Sequence, residues 1–238
     1  MPTPTTPEGF DYSIVEGAIE LIGKGNVAVI KSTMQPGSTE QIAKKYPDVF
    51  VMHSPEFLKE KTAAFDASNP DRNIIGITED TEEYKEKAKM VMKVLAKAPY
   101  NKVMDVRSAE LVKYIGNCFL MTKVVFFNVM YDIADKLDLN WEDVRDSVAN
   151  DPRIGESHTK IKHESGHGGP AARGAGGHCF IKDFAAIREL HEKIVGDDKA
   201  GLEVLKSIED KNINLLKSSG KDIDLLCSIY DEKTIGKS

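Results

Sequence analysis

At 238 residues, 41% hydrophobic and 29% charged, the chain has the composition of a folded globular protein long enough for one or two domains. A net charge of −6 and a pI near 5.6 leave no basic footprint for nucleic acid. Three widely spaced cysteines make neither a disulfide framework nor a zinc pattern and suit a reducing, cytoplasmic setting, and the opening MPTPTTPEGF has no signal-peptide character.

Residues 11–24 read as a helix with Ile14, Ala18, Leu21 and Ile22 on one face. NVAVIK (26–31) is a short β-branched run of the kind found in a buried parallel strand, and VFVMH (49–53) and NIIGIT (73–78) read the same way. Helices are expected over Thr39–Tyr46 and Thr81–Lys97, with a further strand over Lys102–Val106. Strands alternating with helices at this spacing predict an α/β unit with a parallel sheet.

The stretch from Ser108 to Leu137 predicts a helix of roughly 45 Å, with Ser108 as its cap and Glu110 as an early acid suited to the dipole. From Cys118 to Tyr131 it is apolar almost all the way round, so several faces need covering, one of them by a second copy of the chain. Lys123, Asn128 and Asp132 make it a poor membrane span. Lys113 and Asn117, four apart, project from one face. A short helix over 141–150, an irregular loop over 155–178, helices over 183–195 and 199–217, and a polar tail complete the chain. The expected division is 1–106, a partial α/β domain; 107–217, a helical domain; and 218–238, the tail.

Several stretches carry chemistry. GAGGHCFIKD (174–183) sets Cys179 in a glycine-rich loop just before the expected helix start, where N–H groups and Lys182 favour a thiolate. Asp183 suits a helix cap or a proton-transfer role. SPEFLKE (54–60) places Glu56 and Glu60 after a strand end, the edge at which α/β sheets bind ligands. Lys31-Ser32-Thr33 offers hydroxyls at another strand end, and Asp151-Pro152-Arg153-Ile154-Gly155 is a turn with an arginine suited to a phosphate. His158, His163, His167 and His178 share one loop without helical or C-x-x-C spacing, so no metal site is expected.

Together with MPTPT (1–5), KSTMQPGST (31–39), NPDRNIIG (69–76), SAELVKYIGNCFL (108–120) and DPRIG (151–155), these motifs resemble, in order, the UDP-glucose/GDP-mannose dehydrogenase family. The resemblance implies a partial Rossmann-like sheet followed by a helical dimerisation domain. It implies NAD-dependent oxidation of a nucleotide-sugar C6 alcohol to the carboxylate, with UDP-glucose as the substrate. Cys179 would capture the aldehyde as a thiohemiacetal that becomes a thioester. Lys113 and Asn117 would stabilise oxyanions, Asp183 would assist proton transfer, Glu56 would act as base in thioester hydrolysis, and Thr33 would order water. Phe57, Leu58, Lys59 and Glu60, with Gly174 and Gly176, would line the sugar, and Arg153 would reach the partner's site. Thr3, Ser32, Thr33, Glu60, Cys179 and Lys182 would fall on the cofactor side.

The motif set departs from the family at three points. No G-x-G-x-x-G follows an opening strand, Ala175 replaces an aromatic, and Ile181 replaces a proline. The missing fingerprint raises the expectation of a second chain that supplies the other half of the NAD site. It also raises a contrasting one, of a dimerising remnant without catalysis. A cysteine hydrolase built on Cys179 and a loop histidine lacks an orienting partner for the base.

Overall fold

The computed structural model describes residues 5–6, 9–165 and 169–230. These fall into two compact units that divide between Ile115 and Gly116. Thr3, His167, the side chain of Glu60 and the last eight residues of the expected tail lie outside the described residues.

In the first unit, β1 (Thr5–Thr6) and β2 (Gly9–Phe10) form a small antiparallel ladder. Helix α1 (Ser13–Ile19) buries Val15 and Ile19, whereas Ile14 is exposed and Leu21 lies past the helix end, 89% exposed. Both candidate faces have helical spacing, so periodicity alone could not choose between them; packing chooses the one that meets the sheet. The strands that follow are β3 (Val27–Ile30), β4 (Phe50–His53), β5 (Arg72–Ile77) and β6 (Tyr100–Asp105). They lie in the order β3-β4-β5-β6. The two outer pairings are parallel, but β4 and β5 pair antiparallel, with Met52 opposite Ile77 and His53 opposite Gly76. The expected α/β unit with parallel strand pairs is thus present, and one antiparallel step joins its two parallel pairs. Parallel pairing needs a crossover that returns the chain to the opposite edge; the 54–71 connection holds only a 3-10 turn (Glu60–Thr62) and the short α3 (Ala63–Ser68). It re-enters the sheet from the edge it left.

Alternating side chains fill both faces of this sheet. Ala28, Ile30 and Val51 pack with Val15, Ile19 and Ile42 of α1 and α2 (Ser38–Lys45), and Met52, Ile75 and Ile77 pack with Tyr84, Ala88 and Val91 of α4 (Glu82–Val94). Thr81 caps α4, its hydroxyl accepting from the Tyr84 N–H.

Helix α5 (Val106–Lys136) begins in this unit and ends in the second. Its start is two residues earlier than expected, and the cap is Asp105, which accepts from the Ser108 N–H at 3.0 Å. A Cβ at Gly76 would lie 2.7 Å from the Ala109 Cβ and 2.8 Å from the Val106 Cα, so β5 needs a glycine where the start of α5 packs against it.

The second unit contains the remainder of α5, then α6 (Trp141–Ala149), a hairpin of β7 (Lys162–His163) and β8 (Ala172–Arg173), and α7 (Gly177–Ile194). Helix α8 (Lys199–Ser219) and α9 (Ile223–Ile229) follow. The last of these lies in the stretch read as a polar tail. Leu225, Leu226 and Tyr230 are buried with Ile181, Ala185 and Leu216, and with only seven residues the helix left too few apolar positions to show a period. No helix among the described residues is long and apolar enough to cross a membrane.

Candidate active site

In the second unit, α7 starts at Gly177, six residues before the expected start, so Cys179 stands inside its first turn and is exposed. Glycine and histidine at 177–178 read as loop, which hid this turn. Asp183 therefore does not cap the helix. It is buried one turn beyond Cys179, and the Asn117 side-chain amide donates to its Oδ2 at 2.6 Å. Lys182, beside it, is half-buried. The Cys118 thiol sits against the Asp183 carbonyl and is pushed up to about 12, first by burial and then by the Asp183 charge. It is therefore a poor nucleophile.

The glycine-rich run before α7 is tied down from several sides. Asn212 of α8 brackets Ala175, donating to its carbonyl at 2.9 Å and accepting from its N–H at 2.7 Å. Arg173 donates to Asn128 Oδ1 at 2.8 Å and to Asp132 at 2.6 Å, both on α5. None of these partners carried a motif signal, because a buried amide or arginine in a helical pattern reads as ordinary polarity. Arg153 is exposed, and its guanidinium folds back onto Asp151. Its turn is anchored to α5 by Lys123, which donates to the carbonyls of Ile154 and Gly155 at 2.8 and 2.9 Å. His158 packs edge-on against Phe180, and His178 is exposed. Among the described residues no three histidine, cysteine or acidic side chains are grouped to hold a metal.

In the first unit, residues 54–59 are irregular and follow the end of β4. Glu56 faces Lys31, whose ammonium lies 3.0 Å from Oε2 and donates to Ser54 at 3.5 Å. A cleft of about 480 Å³ opens here, lined by Lys31, Ser54, Glu56, Phe57, Leu58 and Lys59. The Phe57 ring sits under two cations, the Arg72 guanidinium at 3.9 Å and the Lys113 ammonium at 5.8 Å. Lys113 is thus brought to the 54–59 segment, while Ser32 and Thr33 lie half-buried just past β3.

One feature of this unit bears on phosphate binding. Helix starts are natural anion sites, but the start of α2 is already closed. Glu110, fully buried, accepts from the N–H groups of Gly37 at 2.6 Å and Thr39 at 2.9 Å. Burial pushes its carboxyl upward against the pull of these donors. The early acid read as a dipole partner of its own helix is in fact the cap of another.

Two family models match the chain, both of the UDP-glucose/GDP-mannose dehydrogenase family: its NAD-binding domain over residues 1–96 and its central domain over residues 107–214. The UDP-glucose 6-dehydrogenase of Rickettsia conorii is 33% identical over 233 residues, covering 95% of this chain and 49% of that protein. That of Rhizobium meliloti is 30% identical over 204 residues, covering 83% and 44%. A solved UDP-glucose dehydrogenase from the archaeon Pyrobaculum islandicum matches at a TM-score of 0.70 and 30% identity, over 92% of this chain and 51% of that one. The chain spans about half the length of these relatives.

Proposed function

Because the chain belongs to the UDP-glucose/GDP-mannose dehydrogenase family, we propose that it carries the aldehyde-capturing and hydrolytic machinery of a cytoplasmic UDP-glucose 6-dehydrogenase. The observation that carries the reading is an exposed Cys179 in the first turn of α7, with Asn117 bound to Asp183 one turn along.

NAD is the family's hydride acceptor. The described residues do not form its pyrophosphate cradle: no glycine fingerprint follows a strand, and Glu110 closes the start of α2. Ser32, Thr33 and Lys182 are left as contacts on the cofactor side, and Thr3 and the Glu60 side chain lie outside the described residues.

In this reading the Cys179 thiolate adds to the C6 aldehyde, and the carbonyl oxygen gains the charge that Lys113 and Asn117 stabilise. Once that carbon is oxidised to the thioester, Glu56 takes a proton from water, water adds, and the C–S bond breaks to release carboxylate and thiolate. Asp183 passes protons during capture, and Thr33 orders water. Phe57, Leu58, Lys59, Glu60, Gly174 and Gly176 line the sugar. Arg153 serves the site of a partner copy. A homodimer built on helix 108–137 is supported by Phe119, Phe126 and Ile133, 65%, 56% and 50% exposed at seven-residue spacing.

The reading is tested by NADH formation from UDP-glucose, with the chain alone and with a separately expressed glycine-fingerprint half. Turnover in the mixture that is lost in Cys179→Ala is expected. A second reading, a dimerising remnant without catalysis, is favoured by the closed start of α2 and predicts no NADH under either condition.

A further inference from the structure

The glycine-rich run ahead of Cys179 is shaped by residues that no motif marks. Lys221, between α8 and α9, is 5% exposed and donates to the carbonyls of His163 and Gly174, both at 2.8 Å, and of Ala172 at 3.4 Å. Asp222, next in the chain, accepts from the Gly177 N–H at 2.8 Å through Oδ2 and from the Ser165 hydroxyl at 2.9 Å through Oδ1. Gly176 offers no side chain to cap α7, so Asp222 caps it from across the fold. A Cβ at Gly176 would lie 1.9 Å from Asp222 Oδ2 and 2.9 Å from Lys221 Cε, so that glycine is needed because this pair occupies its side-chain space. Asp222 itself takes a left-handed conformation, φ 52°, a backbone cost that the two hydrogen bonds offset.

We propose that Lys221 and Asp222 are positioning residues for Cys179, holding the 172–177 segment and the first turn of α7 so that the thiol is fixed relative to Asp183 and Asn117. The proposal rests on Cys179 being the nucleophile of the reading above. Lys221 ties the β7–β8 hairpin, through the carbonyls of His163 and Ala172, to Gly174 in the glycine-rich run, and burial lowers its ammonium to about 8, so at neutral pH it remains charged. Asp222 ties down the N–H two residues before the thiol. The other titratable groups about this turn include His178, Lys182 and Asp183 on α7, His163 on β7, and His158, whose ring packs against Phe180.

The test is the rate of Cys179 alkylation by iodoacetamide as a function of pH, read site by site by mass spectrometry on the full chain. Buried Cys118 serves as the internal report of an intact fold. Asp222→Ala removes the cap and should slow Cys179 at neutral pH by roughly 3- to 10-fold, because the thiol loses its fixed place in the first turn, even though loss of the Asp222 charge by itself favours the thiolate. Asp222→Asn keeps an acceptor and should stay within about twofold of the wild type, a rescue that simple loss of stability would not give. If Asp222→Ala exposes Cys118, Lys221→Gln, which keeps a donor without the charge, replaces it and should slow Cys179 likewise. An unchanged profile in a variant that still protects Cys118 overturns the positioning role. A wild-type profile already like that of a free cysteine overturns instead the nucleophile reading on which it rests.

Discussion

The Asn117 amide donates to Asp183 at 2.6 Å, so α5 holds the carboxylate that stands four residues beyond Cys179. Asp183 is 1% exposed, and a buried carboxylate is costly unless its oxygens are engaged. Asn117→Ala should destabilise the protein by about 1–3 kcal/mol, the range for stranding a buried acceptor. Asn117→Asp should cost more, since it sets two carboxylates together. Denaturant midpoints at neutral pH, with the slope checked for two-state behaviour, measure both. A midpoint unchanged in Asn117→Ala would mean that the contact contributes nothing to stability.

The three thiols should separate by environment. Cys118, pushed up to about 12, should resist alkylation at pH 8, while Cys179 should react first. Cys227 follows two apolar residues, Leu225 and Leu226, in the sequence. In the structure those two leucines face the core and Cys227 faces outward. It should therefore label at the rate of an ordinary exposed cysteine. Site-resolved mass spectrometry over a time course gives the order, and labelling of Cys118 before Cys179 would contradict it.

What could be read from sequence and what could not divides on physical grounds. The strands at 27–30 and 72–77 were legible from their short β-branched apolar centres, and the long helix from helical spacing sustained over many turns. Among the motif residues, Lys113 comes to Phe57 and Asn117 to Asp183. The antiparallel step at β4 was hidden because a strand's sequence carries no sign of its direction. Glu110, Asn212, Lys221 and Asp222 act through buried backbone groups distant in sequence, a job that leaves no local pattern.

Neighbouring phenylalanines on α5 should behave differently. Phe126 is 56% exposed, whereas Phe127 is 5% exposed and packs edge-on against Trp141 at 6.2 Å. Phe126→Asp should leave the monomer folded and dissociate the proposed dimer. Phe127→Asp should unfold the chain, since an unpaired carboxylate in that core costs several kcal/mol. Sedimentation velocity together with circular dichroism distinguishes the two. A wild type that sediments as a monomer at micromolar concentration would sink the dimer.

Glu110→Ala should loosen the start of α2 by about 1–3 kcal/mol, because it strands the N–H groups of Gly37 and Thr39. Glu110→Gln keeps an acceptor and should cost less. Hydrogen exchange at the Thr39 amide reports the site directly, and equal protection in wild type and Glu110→Ala would argue against the cap.

Acid should destabilise the first unit through His53. Its ring is fully buried at the end of β4, with Nδ1 3.0 Å from the Ile30 carbonyl, so Nδ1 carries the proton and donates. Burial, with the Lys31 charge adding to it, lowers the imidazole from 6.5 to about 4. Between those values the unfolded chain binds a proton that the folded chain refuses, so stability rises with pH across the window and falls as pH drops through it. Below about 4 both forms are protonated and this contribution stops changing. The gap is worth about 3 kcal/mol. His53→Asn, which keeps a donor close to the Nδ1 position, should lose some packing at pH 7 yet flatten the decline between pH 6.5 and 4. Denaturant midpoints at half-unit pH steps provide the comparison. Parallel declines in the two proteins would show that His53 is not the group that titrates. His163, lowered to about 4 mainly by burial in the second unit, would then be the next to replace.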